Sequence, residues 1–163
     1  MISMFRIDDR LVHGQVAVKW SKELGVSRII VVSDSIAKNE IQVSALKMAG
    51  PAGIKVAVLP TEKAAQILND ERSKKLNILV VTNEPQYVAA LLPLLNEQPK
   101  LNVANYGRIG GTLSEKTKIA ENLYLSETDK EVIQSIFDMG YDFTYQTLPE
   151  DSPQSLQKLV IGG

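Results

Sequence analysis

A chain of 163 residues is the usual size of one compact domain, so residues 1–163 are predicted to fold as a single unit. The absence of cysteine excludes disulfides, zinc–thiolate sites and thiol nucleophiles, and a net charge of −1 with mixed signs argues against nucleic acid as the main partner. The amino terminus lacks a secretory signal pattern, and no apolar run reaches the roughly 20 residues that span a bilayer, so we expect a soluble, cytosolic protein.

Six short runs rich in apolar and β-branched residues are predicted as strands. Several are apolar at nearly every position, as a strand needs when both of its faces are covered, and this favours a parallel sheet. The last run alternates more and is predicted to lie near an edge of the sheet. In chain order the runs cover residues 2–7, 28–33, 55–60, 77–82, 101–106 and 142–148.

Stretches with helical periodicity separate these strands. Val12, Val16, Trp20 and Leu24 recur every four residues and predict a first helix with one apolar stripe. This alternation predicts an open, mostly parallel α/β sheet with helices on both faces, in which ligands bind beyond the carboxyl ends of the strands. The signals for the later helices are Thr61 as an N-cap, Asn83 as an N-cap with a kink or early end at Pro93, a Ser126–Asp129 capping box, and a short capped helix in the tail 152–163.

The loop between the first strand and the first helix carries an unusual concentration of charge. It contains Asp8, Asp9, Arg10 and the single histidine of the chain, His13, immediately before Gly14. Free N–H groups and the helix dipole favour an anion at a helix start, by about 0.3–1 kcal/mol per exposed charge. Because Gly14 lacks a side chain, such an anion could come close to the backbone.

His13 in this setting has the features of a phosphoryl-accepting nucleophile. The helix dipole disfavours an imidazolium cation, and a neutral imidazole has a lone pair that can attack. A phosphoryl group there would place its charge among the helix N–H groups and Arg10, while an aspartate could hold the other ring nitrogen. A surface or capping histidine beside weak local ion pairs is the alternative interpretation, and the spacing leaves both open.

The segment RIDDRLVHGQV, residues 6–16, closely resembles the active-site signature of the IIB components of the mannose/sorbose family of the bacterial sugar phosphotransferase system. The chain is also similar in length, in strand–helix order and in the segment LNVANYG. The resemblance implies that His13 accepts a phosphoryl group on Nδ1 from a IIA component and passes it to a sugar held by a IIC/IID membrane complex. It implies no cofactor, no metal and a cytoplasmic location beside the membrane permease. The sugar (a hexose, an amino sugar such as N-acetylgalactosamine, or a ketose) and the choice between monomer and homo-oligomer stay open.

The resemblance also assigns roles to the residues around the histidine. Arg10 would stabilise the phosphoryl group and Asp8 would orient the imidazole. Arg108 lies in the glycine-rich segment 104–112, which departs from the family pattern and could equally be a plain surface turn. The residues expected to bind phosphate are Gly14, Gln15, Arg6, Asp9 and Arg108.

Three other classes of protein share some of these features. A receiver-like signalling domain also has acidic residues after its first strand, but it needs an aspartate after the third, where this chain has Pro60 and Thr61. A non-catalytic anion- or nucleotide-binding α/β domain is an alternative, although GRIGGT is neither a Walker nor a dinucleotide fingerprint. A metal hydrolase is weaker still, because one histidine leaves only carboxylates to complete a site.

Overall fold

The central feature of the computed structural model, which describes residues 1–162, is a seven-stranded sheet beside a two-stranded hairpin. Strands β6 and β7 form the hairpin, and the others have the order β3-β2-β4-β1-β5-β8-β9, all parallel except β9. The strands are β1 (Ile2–Ile7), β2 (Arg28–Val32), β3 (Lys55–Leu59), β4 (Ile78–Thr82), β5 (Leu101–Val103), β6 (Thr117–Ala120), β7 (Leu123–Leu125), β8 (Phe143–Tyr145) and β9 (Gln154–Ser155).

Helices cover both faces of this sheet, so the predicted fold class is confirmed. Side chains of α1 and α2 pack with the apolar cluster on one face, and those of α3, α4, α5 and α6 pack with the cluster on the other. In the described residues the α-helices are α1 (Gly14–Leu24), α2 (Glu40–Ala49), α3 (Thr61–Asn69), α4 (Pro85–Leu91), α5 (Glu127–Asp138) and α6 (Leu156–Gly162). No helix among them is long and apolar enough to cross a membrane.

Strand β1 contributes side chains to the apolar clusters on both faces of the sheet. It lies between β4 and β5, and Phe5 and Ile7 join the cluster beneath α3 to α6, while Met4 joins the cluster beneath α1. Since side chains alternate along a strand, Arg6 and Asp8 fall on the α1 side with Met4. A central parallel strand therefore delivers two charged side chains into a buried layer.

The strand predictions were accurate in position, but four of the six were too long at the carboxyl end. The run predicted to end at residue 106 pairs only over Leu101–Val103, because the chain then leaves the sheet towards β1 and the hairpin. The late strand lies near the edge as predicted, with β9 paired antiparallel beyond it. Strands β6, β7 and β9 were not predicted, since each has only two to four residues.

Two of the predicted helix caps were wrong, and one was confirmed. Thr61 is the first helical residue of α3, where its N–H and hydroxyl both donate to Asp34 Oδ1 at 2.7 and 3.1 Å, so the cap comes from the end of β2. Asn83 lies one residue too early, because Glu84 occupies the N-cap of α4. The capping box of Ser126 with Asp129 is present at the start of α5.

The ends of two other helices also follow the sequence signals. Helix α4 stops at Leu91 and continues as a 3-10 turn, Leu92–Leu94, which contains Pro93, as the predicted early end requires. The tail forms α6, where the Ser155 hydroxyl accepts the N–H of Lys158 at 3.2 Å. Gly163, the last residue of the predicted tail helix, lies outside the described residues.

The order of the strands places the charged loop between two others at one edge of the sheet. The N–H of Asp8 donates to the carbonyl of Thr82 at the end of β4 (2.9 Å), and the N–H of Asp9 donates to the carbonyl of Asn105 beyond β5 (2.7 Å). The loop after β1 is thus fixed on both sides at the carboxyl edge, where open α/β sheets bind their ligands.

Replacing Ile136 by alanine should lower the free energy of unfolding by about 2–5 kcal/mol, because the side chain is fully buried and its loss leaves a cavity. Urea unfolding followed by circular dichroism measures this change. Ile41→Ala, at a highly exposed position on α2, is the matched control and should change the value by less than about 0.5 kcal/mol. Equal losses in the two variants would contradict the assigned core.

Candidate active site

The loop from β1 to α1 is a tight, strained turn that ends at His13. Leu11 has a left-handed backbone (φ 57°), which is unfavourable for a residue with a branched side chain and costs on the order of 1 kcal/mol. Burial of the Leu11 side chain and the hydrogen bond from its N–H to the carbonyl of Asp8 (3.0 Å) hold this conformation. His13 is then the N-cap of α1, with extended backbone angles and no capping bond from its side chain.

The carboxylate of Asp8 connects three other residues of the site through hydrogen bonds. Its side chain is 0% exposed, and its Oδ2 accepts hydrogen bonds from Arg6 Nη2 and from His13 Nε2, both at 3.1 Å. Its Oδ1 accepts the backbone N–H of Arg10 at 3.0 Å. Burial by itself would raise the pKa of Asp8, but the bond from His13, the charge of Arg6 and the N–H of Arg10 outweigh it, so the pKa lies below its ordinary value. Asp8 is therefore a buried, ionised acceptor.

This arrangement fixes which nitrogen of His13 can react. An ionised carboxylate only accepts hydrogen bonds, so in the neutral imidazole the proton sits on Nε2 and the lone pair on Nδ1. Within residues 1–162 no hydrogen bond is formed to Nδ1, and the side chain is 18% exposed. His13 thus has an oriented ring with an unoccupied nucleophilic nitrogen.

The groups around that nitrogen favour an anion. The backbone N–H groups of Gly14, Gln15 and Val16 belong to the first turn of α1, where no intrahelical acceptor is available and no acidic side chain is present. Gly14 has φ 44°, and nothing lies within 4 Å of the Cβ that a larger residue would carry, so its surface is open. Arg10 is exposed, and its guanidinium makes no ion pair within the described part of the chain. A phosphoryl group could be held here without displacing existing contacts.

Arg6, which was expected among the phosphate-binding residues, lies elsewhere. It is 2% exposed and sits over the ring of Trp20, 5.4 Å from the centroid. Its Nη1 donates to Asn102 Oδ1 (2.6 Å) and its Nη2 to Asp8, while two backbone carbonyls of the segment after β8 take further bonds. Because the guanidinium is buried and both of its Nη groups donate to protein acceptors, the anion that it contacts in this structure is Asp8, and a phosphate contact of Arg6 stays a prediction.

Asp9, the other acidic residue expected to bind phosphate, instead joins two loops. Its Oδ2 accepts the N–H of Gly107 at 3.0 Å. Burial raises the pKa of Asp9 to about 6, to which the charge of Asp8 adds, while the N–H of Gly107 and the charge of Lys116 act in the opposite direction. A carboxylate here would repel a phosphoryl group. The bond from Gly107 makes Asp9 a tether between the two loops, and a phosphate contact of Asp9 stays a prediction.

The tether brings the glycine-rich segment to the same edge of the sheet as His13. Gly107 has φ 93°, and a Cβ there would lie 1.8 Å from the carbonyl oxygen of Tyr124, so only glycine fits. Lys116 Nζ donates to the carbonyls of Gly107 and Gly110 at 2.6 and 2.7 Å and closes the segment from the other side. Arg108 is exposed on this fixed turn.

Several supporting residues were not identified from the sequence. Asn102 and Trp20 hold Arg6, and Lys116 closes the glycine-rich segment, yet each looks in the sequence like an ordinary strand, helix or surface residue. The pairing of Arg6 with Asn102 across β1 and β5 is a matter of strand register, which one sequence does not show. No group of three or more potential metal ligands occurs in residues 1–162.

Comparisons with known proteins agree on one family. The family model described as the sorbose subfamily IIB component of the PTS, the phosphotransferase system, matches residues 2–162. A probable phosphotransferase enzyme IIB component of Streptococcus pyogenes serotype M6 is 35% identical over 162 residues, covering 98% of this chain and 99% of that one. The sorbose-specific EIIB component of Lacticaseibacillus casei is 30% identical over 151 residues, 93% of this chain and 90% of that one. The crystal structure of the IIB domain of the Klebsiella pneumoniae sorbose permease has the same fold, with a TM-score of 0.90, 23% identity, and coverage of 99% and 97%.

Replacing Asp9 by asparagine should stabilise the protein above about pH 6 and have little effect below the ordinary aspartate pKa of 3.8. A carboxyl with a raised pKa favours the folded state while protonated, and this contribution is lost as the pH rises from 3.8 to about 6. The gain at neutral pH should be roughly 1–2 kcal/mol, reduced from the full linkage value because the side chain is partly exposed.

Urea unfolding of wild type and Asp9→Asn at several pH values in this range measures the difference. Asparagine can still accept the N–H of Gly107, so the tether is kept. Asp138→Asn, at an exposed position on α5, is the matched control. A stability difference that does not change with pH would contradict the raised pKa.

Proposed function

Because this chain belongs to the sorbose subfamily of IIB components of the phosphotransferase system, the phosphotransferases of sugar uptake, we propose that His13 is the residue that carries the phosphoryl group. The observation that carries the proposal is the bond from His13 Nε2 to the buried Asp8, which leaves Nδ1 free at the start of α1. The accepting atom is then Nδ1.

In the first transfer, the lone pair of Nδ1 attacks the phosphorus of a phosphohistidine on a IIA partner. The bond from phosphorus to Nδ1 of His13 forms as the bond to the donor nitrogen breaks, and the donor imidazole keeps that electron pair. The ring of His13 becomes cationic because Nε2 keeps its proton, and the ionised Asp8 balances this charge at 3.1 Å. No proton has to move between the two rings for the group to pass.

The charge of the phosphoryl oxygens would be stabilised by Arg10 and by the first turn of α1. The exposed guanidinium of Arg10 can bond two oxygens at once, and the N–H groups of Gly14 and Gln15 point from a helix start. Such donors are already in place before the reaction, which is how positioned groups lower the barrier to phosphoryl transfer. We therefore assign phosphate binding to Arg10, Gly14 and Gln15.

Arg108 is the remaining candidate at this edge of the sheet. Its turn is fixed by the bond between Asp9 and Gly107 and by Lys116, so the guanidinium projects from a rigid base. Its side chain makes no ion pair within the described residues. We place Arg108 at the rim of the site, in contact with the phosphoryl group or with the partner that carries it.

In the second transfer, a hydroxyl oxygen of a sugar forms a bond to the phosphorus on Nδ1 as the bond from phosphorus to Nδ1 breaks. His13 leaves with that electron pair as a neutral imidazole, and the proton of the hydroxyl passes to water. We propose that the sugar is held by the membrane-embedded IIC/IID subunits, so the reaction takes place at the cytoplasmic face of the membrane. Relatives are named for sorbose, mannose and fructose, and the acceptor proposed here is a monosaccharide of that class. Because two partners must dock in turn on one edge, each interface should be small and transient.

His13→Ala should fold like the wild type and accept no phosphoryl group. Both proteins would be incubated with phosphoenolpyruvate, the general phosphotransferase proteins and a IIA partner, and then analysed by intact mass before and after acid treatment. Because His13 is the single histidine of the chain, an acid-labile phosphoryl group that is bound to an imidazole of the wild type must be on His13. Labelling of the variant with the same acid lability, or no labelling of the wild type by several competent IIA partners, would refute the proposal.

Arg10→Lys should slow phosphoryl transfer from the IIA partner by at least about tenfold, because lysine keeps the charge and loses the two-pronged contact with the oxygens. Rapid-quench measurement of the transfer rate tests this, with circular dichroism to verify the fold. Arg72→Lys is the matched control, since Arg72 is exposed before β4 at the opposite edge of the sheet. Wild-type rates in Arg10→Lys would remove Arg10 from the site.

A further inference from the structure

We infer that Arg6 is a positioning residue which, acting through Asp8, determines which ring nitrogen of His13 is free to take the phosphoryl group. The inference rests on the proposed function for its consequence in catalysis. Its physical content concerns only the position of one proton in the resting protein. Arg6 would act without touching the phosphoryl group or the imidazole.

One carboxylate oxygen of Asp8 accepts hydrogen bonds from two donors. Asp8 Oδ2 accepts from Arg6 Nη2 and from His13 Nε2, both at 3.1 Å, and Oδ1 is occupied by the N–H of Arg10. While Asp8 is ionised it can only accept, so Nε2 carries the imidazole proton. If Asp8 took up a proton, its hydroxyl could donate to Nε2, the ring proton would move to Nδ1, and the nucleophilic lone pair at Nδ1 would be lost.

A fully buried carboxylate such as that of Asp8 needs a neighbouring cation to stay ionised. Asp8 is 0% exposed, and the charged or titratable groups that face it are Arg6 on β1, His13 at the N-cap of α1 and Asp9 next in the chain. Among residues 1–162, Arg6 is the only arginine or lysine that forms an ion pair with Asp8. Since Asp9 is repulsive and His13 is the group being oriented, Arg6 is the residue that keeps Asp8 an acceptor.

Other contacts hold the guanidinium of Arg6 in the orientation that faces Asp8. Its Nη1 donates to Asn102 Oδ1 at 2.6 Å and to the carbonyl of Gln146 at 3.2 Å, and its Nη2 donates to the carbonyl of Thr147 at 3.0 Å as well as to Asp8. Trp20 covers the guanidinium and donates to the same Thr147 carbonyl at 2.9 Å. Neutral acceptors fix the orientation of the guanidinium and leave its charge to be balanced by Asp8.

The ring proton can be located directly because the chain has a single histidine. Long-range proton–nitrogen correlation spectra of uniformly nitrogen-15-labelled protein at neutral pH distinguish the protonated from the unprotonated ring nitrogen. The wild type should show the tautomer with the proton on Nε2. In Arg6→Met, the ratio of the two tautomers should shift towards Nδ1–H by about tenfold or more, the factor that corresponds to one pKa unit.

Three further variants control for the fold and for the loss of an arginine. Arg6→Lys keeps a cation beside Asp8 and should restore the wild-type tautomer, which a purely structural role of the arginine would not produce. Arg28→Met removes a partly buried arginine from the start of β2, where its guanidinium bonds the carbonyl of Ser27, and should leave the tautomer unchanged. If circular dichroism shows that Arg6→Met is unfolded, Arg6→Gln takes its place in the comparison with Arg6→Lys, because glutamine keeps an amide donor and lacks the charge.

A wild type without the Nε2–H tautomer, or a charge-removing variant of Arg6 with wild-type tautomer ratios, would overturn the inference. These spectra need no phosphoryl donor, so they are independent of whether His13 is phosphorylated. A wild type that shows the expected tautomer and accepts no phosphoryl group would refute the proposed function alone. A wild type labelled on Nδ1 together with an Arg6→Met protein of unchanged tautomer would refute the inference alone.

Discussion

The buried ion pair between Arg6 and Asp8 is the interaction on which the site depends. Removing two charges from water costs several kcal/mol per ion, and attraction offsets this only when the remaining donors and acceptors are also satisfied. The structure meets that condition with Asn102 and two carbonyls around the guanidinium and with the N–H of Arg10 and the ring of His13 around the carboxylate. Replacing either residue by a neutral one would leave the other charge unpaired beneath α1. The orientation of the His13 ring therefore depends on the packing of the sheet around this pair.

The order of the strands explains why this ion pair lies beside the loop that carries His13. Strand β1 is flanked on both sides by parallel neighbours. The N–H groups of Asp8 and Asp9, directly after β1, donate to the carbonyls of Thr82 at the end of β4 and of Asn105 beyond β5. The loop that follows is therefore rigid at its base, although its outer residues are exposed. Because the N–H donors at the start of α1 are fixed in advance, the phosphoryl transfer proposed at this edge would need little reorganisation of these donors when a partner docks. Membership of the phosphotransferase IIB family fits a site of this kind.

The elements that sequence reasoning located correctly are those whose signals are local. The near-continuous apolar runs of the inner strands, the capping box at Ser126 and the early helix end at Pro93 each depend on residues within one or two turns of the chain. Thr61 failed as a predicted cap because the acceptor comes from Asp34, which is 27 positions away. The strands β6, β7 and β9 were missed for a different reason, because each has only two to four residues and shows no clear alternation, although their partners are near in the chain.

The sequence by itself determined the fold class, the position of the charged loop at the end of a strand, and the identity of the candidate nucleophile. It did not show that only one of Arg6 and Arg10 is exposed, because both arginines lie within two residues of an aspartate in one short motif. Tertiary structure alone decided that one guanidinium is buried against Asp8 and the other is free at the surface. The physical reason is that burial and hydrogen-bond partners come from strand register and from the segment after β8, about 140 residues along the chain from Arg6.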